Sequence, residues 1–140
     1  MPSIGRATIE LAQMLLEIAA GDRSVVTRLP PAMGGEALPY GPSLRPTYIR
    51  GLAYLRAGAA ADAIREFQRI IDHPISAASS PVHPLAIVQQ ARAYALAGEF
   101  GKARASYQQF FARWKEADAA VPILREARDE YSRLPTSPVR

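Results

Sequence analysis

The run Tyr48-Ile-Arg-Gly-Leu-Ala-Tyr-Leu-Arg-Ala-Gly58 comes back forty residues later as Val88-Gln-Gln-Ala-Arg-Ala-Tyr-Ala-Leu-Ala-Gly98. At that shift Ala53, Tyr54, Ala57, Gly58, Ala63 and Gln68 coincide with Ala93, Tyr94, Ala97, Gly98, Ala103 and Gln108. Chemically similar pairs fill the gaps: Gly51 with Ala91, Phe67 with Tyr107, Ile70 with Phe110 and Ile71 with Phe111. In both copies the step from Tyr to Ala is nine residues, and an aromatic residue follows that Ala four positions on. Alanine is the strongest helix former, and its small volume lets helices approach closely. Glycine enters the left-handed conformation that closes a helix. The pattern predicts antiparallel helix pairs, the first helix of each ended by Gly58 or Gly98. The two helices meet where only Gly or Ala fits, at Gly51 and Ala63 and again at Ala91 and Ala103. Tyr54, Phe67, Tyr94 and Tyr107 are expected to fill the wedge between them.

Outward from this core, helices are expected over 46–57, 60–72, 84–97 and 101–117. A last helix over 122–134 carries Ile123, Leu124, Ala127, Tyr131 and Leu134 on one stripe and reads as a closing cap, since a helix pair cannot bury both of its faces alone. The Ser- and Pro-rich loop 74–84 reads as a surface linker. Upstream, Leu11, Met14, Leu15 and Ile18 recur at helical spacing and place an amphipathic helix over 4–20, ended by Gly21. Between the two regions Pro30, Pro31, Gly34, Gly35, Pro39, Gly41, Pro42 and Pro46 break any long helix. The expected organisation is a leading helix (1–21), a connection (22–45) with one short helical turn near Ser24, a helical-repeat domain (46–134) and a polar tail (135–140). The fold class is all-α.

The chain has 140 residues, 49 % apolar and 21 % charged, which suits one folded domain and not a disordered segment. It contains no cysteine and two histidines, His73 and His83, so thiolate catalysis and zinc sites built on Cys are excluded. Alanine supplies 26 residues and arginine 15 of the 17 basic ones. The net charge of +4 could attract an anionic polymer. However, acids interleave with the arginines in Arg125-Glu-Ala-Arg-Asp-Glu130, the pattern of a solvated helix face, which speaks against nucleic acid. No stretch approaches the roughly 18–20 apolar residues of a membrane span. Glu10, Gln13 and Glu17 interrupt the N-terminal apolar run too often for a signal peptide. No catalytic, cofactor-binding or metal-binding constellation is legible, and the chain reads as non-enzymatic.

Individual residues have plain structural readings beside functional ones. His73, at a helix end, suits a C-terminal cap, and His83 has no flanking acid to make a metal pair. Phe110 and Trp114, four apart, read as core against the last helix, whereas Phe111 points elsewhere and could anchor an interface.

The order Gly51-x-x-Tyr54, Ala63-x-x-x-Phe67, Pro74 and its repeat Ala91-x-x-Tyr94, Ala103-x-x-x-Tyr107 resembles the tetratricopeptide repeat. The repeat length departs from the usual 34 because the loop between pairs is longer. Arg50 and Gln90 replace the Leu usual before the small residue, and Thr47 and Ile87 stand where a bulkier residue is usual early in the first helix. Over about 38–134, the segments Tyr48–Leu55, Glu66–His73, Ala91–Gly98, Trp114–Asp118 and Val121–Tyr131 resemble a narrower group. This is the C-terminal repeat region of multidomain bacterial signalling proteins, notably acidobacterial ones, in which a Ser/Thr protein kinase or winged-helix domain precedes the repeats. None of the kinase motifs is present in this sequence. The resemblance implies a protein–protein interaction module, in the bacterial cytoplasm or on the extracytoplasmic side, or alternatively a self-association unit that makes a homo-oligomer. It also implies a groove along the first helix of each pair, formed by Arg45, Tyr48, Leu52 and Arg56 and by Val88, Arg92 and Leu96. Leu55, Leu85 and Ala95 border it. Tyr48 and Leu52 occupy the positions where the clamp for chaperone C-termini needs Lys and Asn. What remains is an apolar groove edged by Arg45, Arg56 and Arg92, suited to an acidic or amphipathic peptide. The alternative is that Leu11, Met14, Leu15 and Ile18 cover these residues.

Overall fold

The computed structural model describes residues 4–28, 45–72, 82–113 and 122–135, and every regular element among them is helical. The elements are α1 (Ile4–Ala19), a 3-10 helix (Arg23–Arg28), α2 (Arg45–Arg56), α3 (Ala60–Ile71), α4 (Val82–Leu96), α5 (Phe100–Arg113) and α6 (Pro122–Arg133). None of the described helices is long and apolar enough to cross a membrane. Residues 29–44, the loop 73–81 with His73, and residues 114–121 with Trp114 lie outside the described residues, as does 136–140.

Three of the helices end alike, for one local reason. Gly21, Gly58 and Gly98 have φ of 109°, 83° and 80°. The Gly58 amide donates to Leu55 O (3.2 Å) and the Ala59 amide to Tyr54 O (2.9 Å). Gly98 and Glu99 repeat this on Ala95 and Tyr94, and Gly21 and Asp22 repeat it on Ile18 and Glu17. This is the Schellman pairing, which satisfies the last carbonyls and turns the chain back at once. After Gly58 and Gly98 the next helix starts within two residues, so α2 with α3 and α4 with α5 lie as adjacent hairpins.

Each helix packs on the next along the chain, and α2 also touches α4. Ile18 and Val25 bury against Ala53, with Met14, Leu15 and Ala57 around them. Ala63, Phe67 and Ile70 of α3 bury against Ala86 and Ala93 of α4, with Tyr48, Leu52 and Leu55 of α2 on the flank. Ile87, Val88 and Ala91 of α4 join Ala103, Tyr107 and Phe110 of α5 and Leu124, Ala127 and Leu134 of α6. α4 is therefore central, and residues 86–91 are all buried, which explains a helix with no single apolar stripe.

The small-residue contact is tightest in the first hairpin. A Cβ on Gly51 would stand 2.6 Å from Phe67 Cε1 and 2.8 Å from Cζ, inside van der Waals contact. The Phe67 ring then stacks at a tilt on Tyr48, centroids 5.9 Å apart, rather than on Tyr54. Tyr54 and Tyr94 are half-buried at the margins of their clusters.

Candidate functional site

The first-helix residues expected to line a groove separate into three groups. Tyr48, Leu52 and Leu55 are half-buried and pack on the α3–α4 cluster. Arg56 and Leu96, at equivalent positions of α2 and α4, are exposed, Leu96 by 53 %. Val88, by contrast, is wholly buried and belongs to the core: the face of α4 that bears it is covered by α5 and α6. Leu85 and Ala95 are half-buried, while the Arg45 side chain lies outside the described residues. The leading helix takes a different face of α2, for its Met14, Leu15 and Ile18 meet Ala53 and Ala57. The side chain of Leu11 is not among those described.

Tyr48, Arg56 and Arg92 share one neighbourhood. The Tyr48 hydroxyl accepts a hydrogen bond from Gln89 Nε2 (3.2 Å), which ties α2 to α4. Burial raises its pKa above the ordinary phenol value. The Gln89 bond and the positive fields of Arg92 and Arg56 pull the other way.

Arg92 is already engaged. Its Nε donates to both Glu130 oxygens (3.1 and 2.9 Å), and its NH2 group reaches Glu130 (2.8 Å) and Glu126 (3.2 Å). Burial opposes the guanidinium charge, but the Glu130 bond and field, then Glu126, outweigh it and hold the group above its ordinary pKa. Glu130 also accepts from the Tyr107 hydroxyl at 2.6 Å. Burial first, then this bond to a carboxylate, push the Tyr107 phenol up. One carboxylate thus joins α4, α5 and α6. Arg92 is a strut within the protein, not an open cation at the edge of a groove.

A second polar cluster is more deeply placed. Arg50 is 1 % exposed, and its NH1 group lies 3.2 Å from Glu66 Oε2, which Arg69 approaches from the next turn. Gln90, 4 % exposed, donates to Ile64 O (3.1 Å) and Gln68 Oε1 (2.9 Å). Arg50 and Gln90 both reach α3, one from each side. Arg50 and Gln90, each one residue before a small residue of the repeat, are therefore cross-helix ties.

Glu130 is a cross-helix tie that its place in the sequence does not announce. In the sequence it belongs to the interleaved charge run 125–130, the pattern of a solvated helix face. Its signal is register, because one further step of forty from Arg50 and Gln90 falls on Glu130. All three are polar, half-buried or more, and bonded to another helix.

Two other readings change. Phe111 is not a projecting anchor: its ring stands edge-on to Tyr131 at 5.6 Å and stacks on Tyr107 at 6.4 Å. The cause is α6, whose Tyr131 arrives on the side of α5 that faces Phe111. His83 is 4 % exposed with Nε2 3.4 Å from Ile71 O, so it covers a free carbonyl at the end of α3. A cleft of about 470 Å³ beside it is lined by Ile71, Ile87, Gln109, Ala112 and Arg113. Among the described residues no group of three or more His, Cys, Asp or Glu side chains could hold a metal ion.

Three phenols, Tyr48, Tyr54 and Tyr107, are raised chiefly by burial, with Asp62 and Glu66 adding to the effect at Tyr54. A raised folded-state pKa means that stability is fully present below the unfolded value, about pH 10, and is lost as pH climbs towards the folded ones. The urea midpoint is expected to be level just below about pH 10 and to fall above it. The Tyr107→Phe variant should lose less stability over that alkaline limb. An equal loss in the two proteins would show that Tyr107 plays no part in it.

No protein-family model, curated protein or solved structure matches the chain.

Proposed function

We propose that this chain is a non-catalytic tetratricopeptide-type interaction module whose first-helix face, on α2 and α4, binds an acidic amphipathic peptide. The carrying observation is Arg56, an exposed cation with no ion-pair partner among the described residues, set beside Tyr48, Leu52 and Leu55. Among the described residues the other members of that face are apolar (Leu52, Leu55, Leu96) or already hydrogen-bonded (Tyr48, Arg92). The forty-residue repeat, the Gly51–Phe67 approach and the glycine-closed hairpins support the helix-pair architecture. The resemblance stated above supports a bacterial signalling protein with a kinase or winged-helix domain as its setting.

The test is binding of a fluorescein-labelled peptide, Glu-Glu-Leu-Leu-Glu-Glu, followed by anisotropy at low salt. Arg56→Glu is expected to weaken it about tenfold, roughly 1.4 kcal/mol, with unchanged helicity. Unchanged affinity would sink the reading. Arg92→Glu is the wrong probe, because a third carboxylate beside Glu126 and Glu130 should lower the thermal midpoint by itself.

A second reading is self-association, favoured by Ile9 and Leu16, which lie one above the other on α1 and are 62 % and 70 % exposed. Leu16→Glu is expected to dissolve any dimer that light scattering detects. A strict monomer at high concentration would remove this reading.

A further inference from the structure

α5 carries Gln109, Ala112 and Arg113 on one face, since residues three and four apart share a side of a helix. That face, the start of α4 at His83 and Ile87, and the end of α3 at Ile71 border the cleft of about 470 Å³. The volume falls within the range of small-molecule sites, about 300–1,000 Å³. None of these lining residues belongs to the first-helix face, so the cleft stands or falls apart from the peptide reading.

Its chemistry is set by His83, which is only 4 % exposed yet lines the cleft. Nε2 lies 3.4 Å from Ile71 O, and a carbonyl only accepts, so in the neutral ring Nε2 carries the hydrogen. Nδ1 is then a bare acceptor, and it has no partner among the described residues. No buried side-chain nitrogen or oxygen among the described residues lacks a partner, so Nδ1 is not sealed in. The space it opens on is the cleft that His83 lines. The other polar groups there are Gln109 and Arg113, both exposed and without a hydrogen bond or ion pair among the described residues. No acid lines the cleft among the described residues, and Asp72, next to Ile71, is engaged by Gln68 at 2.8 Å. Ile71, Ile87 and Ala112 supply apolar wall.

We propose that this cleft binds a small amphiphilic carboxylate that also carries a hydroxyl or N–H donor. Arg113 and Gln109, four residues apart on α5, take the carboxylate. Ile71 and Ile87 take the apolar body, and His83 Nδ1 accepts from the donor. The acceptor sets the selectivity, because a ligand without a donor covers Nδ1 and leaves it unbonded. Ala112, on the same face of α5, leaves the room for the body that a larger side chain would fill.

The probe is 3-(4-hydroxyphenyl)propionate, titrated into the full chain at low salt and about pH 8, above the ordinary imidazole value. Binding is followed on the histidine rings by long-range proton–nitrogen NMR, with His73→Gln to assign His83. The free protein should show Nε2 protonated and Nδ1 bare. Saturable binding with a Kd of about 1 mM or tighter is expected, and it should move the Nδ1 resonance. 3-Phenylpropionate, which lacks the hydroxyl, should bind about tenfold more weakly. Arg113→Gln should weaken the probe about fivefold. Ala112→Trp, a change at an exposed helix position, should abolish binding with helicity retained. Undiminished binding by Ala112→Trp would overturn the site, and so would equal affinity for the two ligands. No saturable binding by the unmodified protein would overturn it too, since the chain itself would then close the cleft. If Ala112→Trp does not fold, the comparison of the two ligands on the unmodified protein decides.

Discussion

Phe67→Ala is expected to cost about 3–5 kcal/mol of folding stability, enough to unfold a substantial fraction of a marginal domain. Its ring is fully buried, rests on Gly51, tilts against Tyr48 and lies in the cluster that joins α2, α3 and α4. Removing it takes away the transfer energy of the ring and leaves a cavity walled by three helices. The sharper expectation concerns Gly51. In the unmodified protein Gly51→Ala gains up to about 1 kcal/mol of helix propensity but forces a methyl to within 2.6 Å of the ring, an overpacking cost of about 1–3 kcal/mol. A net loss of about 1 kcal/mol is expected. With Phe67 reduced to alanine the clash is gone, and the same substitution should stabilise by about 1 kcal/mol. A double-mutant cycle by urea denaturation checks this change of sign. If Gly51→Ala has the same effect in both backgrounds, the close approach does not shape the hairpin.

Glu66→Ala is expected to have the second-largest effect, about 3 kcal/mol, at the lower end of what breaking a buried ion pair costs. The Arg50 side chain is 2 % exposed and that of Glu66 is 13 %, so water cannot replace the lost carboxylate. Arg69 loses its approach to the same oxygen, though it is itself 38 % exposed and can turn to solvent. The charge, not the volume, sets the penalty. The double variant Arg50→Met with Glu66→Leu should therefore recover most of it, because an apolar pair of similar size removes both charges together. A double variant as unstable as Glu66→Ala alone would show that the pair specifies the packing of α2 on α3, beyond its own electrostatics.

Much of the architecture was legible because it depends on neighbours in sequence. A glycine that ends a helix does so through backbone geometry and carbonyls three and five residues back, and Gly58 and Gly98 behave accordingly. The closing stripe of α6 was equally readable, since residues at helical spacing share a face. Less of the candidate site could be read. Val88 and Leu96 are both apolar on the same helix, yet one is wholly buried and the other 53 % exposed. Nothing local distinguishes them, because the difference is made by α5 and α6 arriving from later in the chain. Phe111 was misplaced for the same reason, since its covering residue, Tyr131, is twenty positions away.

The polar ties sharpen the division. Short-range rules describe charge pairs three or four residues apart, such as Arg65 with Asp62 or Lys102 with Glu99, and these lie on exposed helix faces. The pairs that join helices span 16 residues for Arg50 with Glu66 and 38 for Arg92 with Glu130. The amino-acid sequence alone determined the all-helical character, the glycine-closed helix ends, the forty-residue period and the need for a small residue at Gly51, all products of backbone chemistry and side-chain size. The tertiary structure alone decided which arginine is a strut and which stays exposed. Arg92 and Arg56 are the same residue on equivalent helices. Only the docking of α6, with Glu126 and Glu130 on its inner face, neutralises the first and leaves the second exposed.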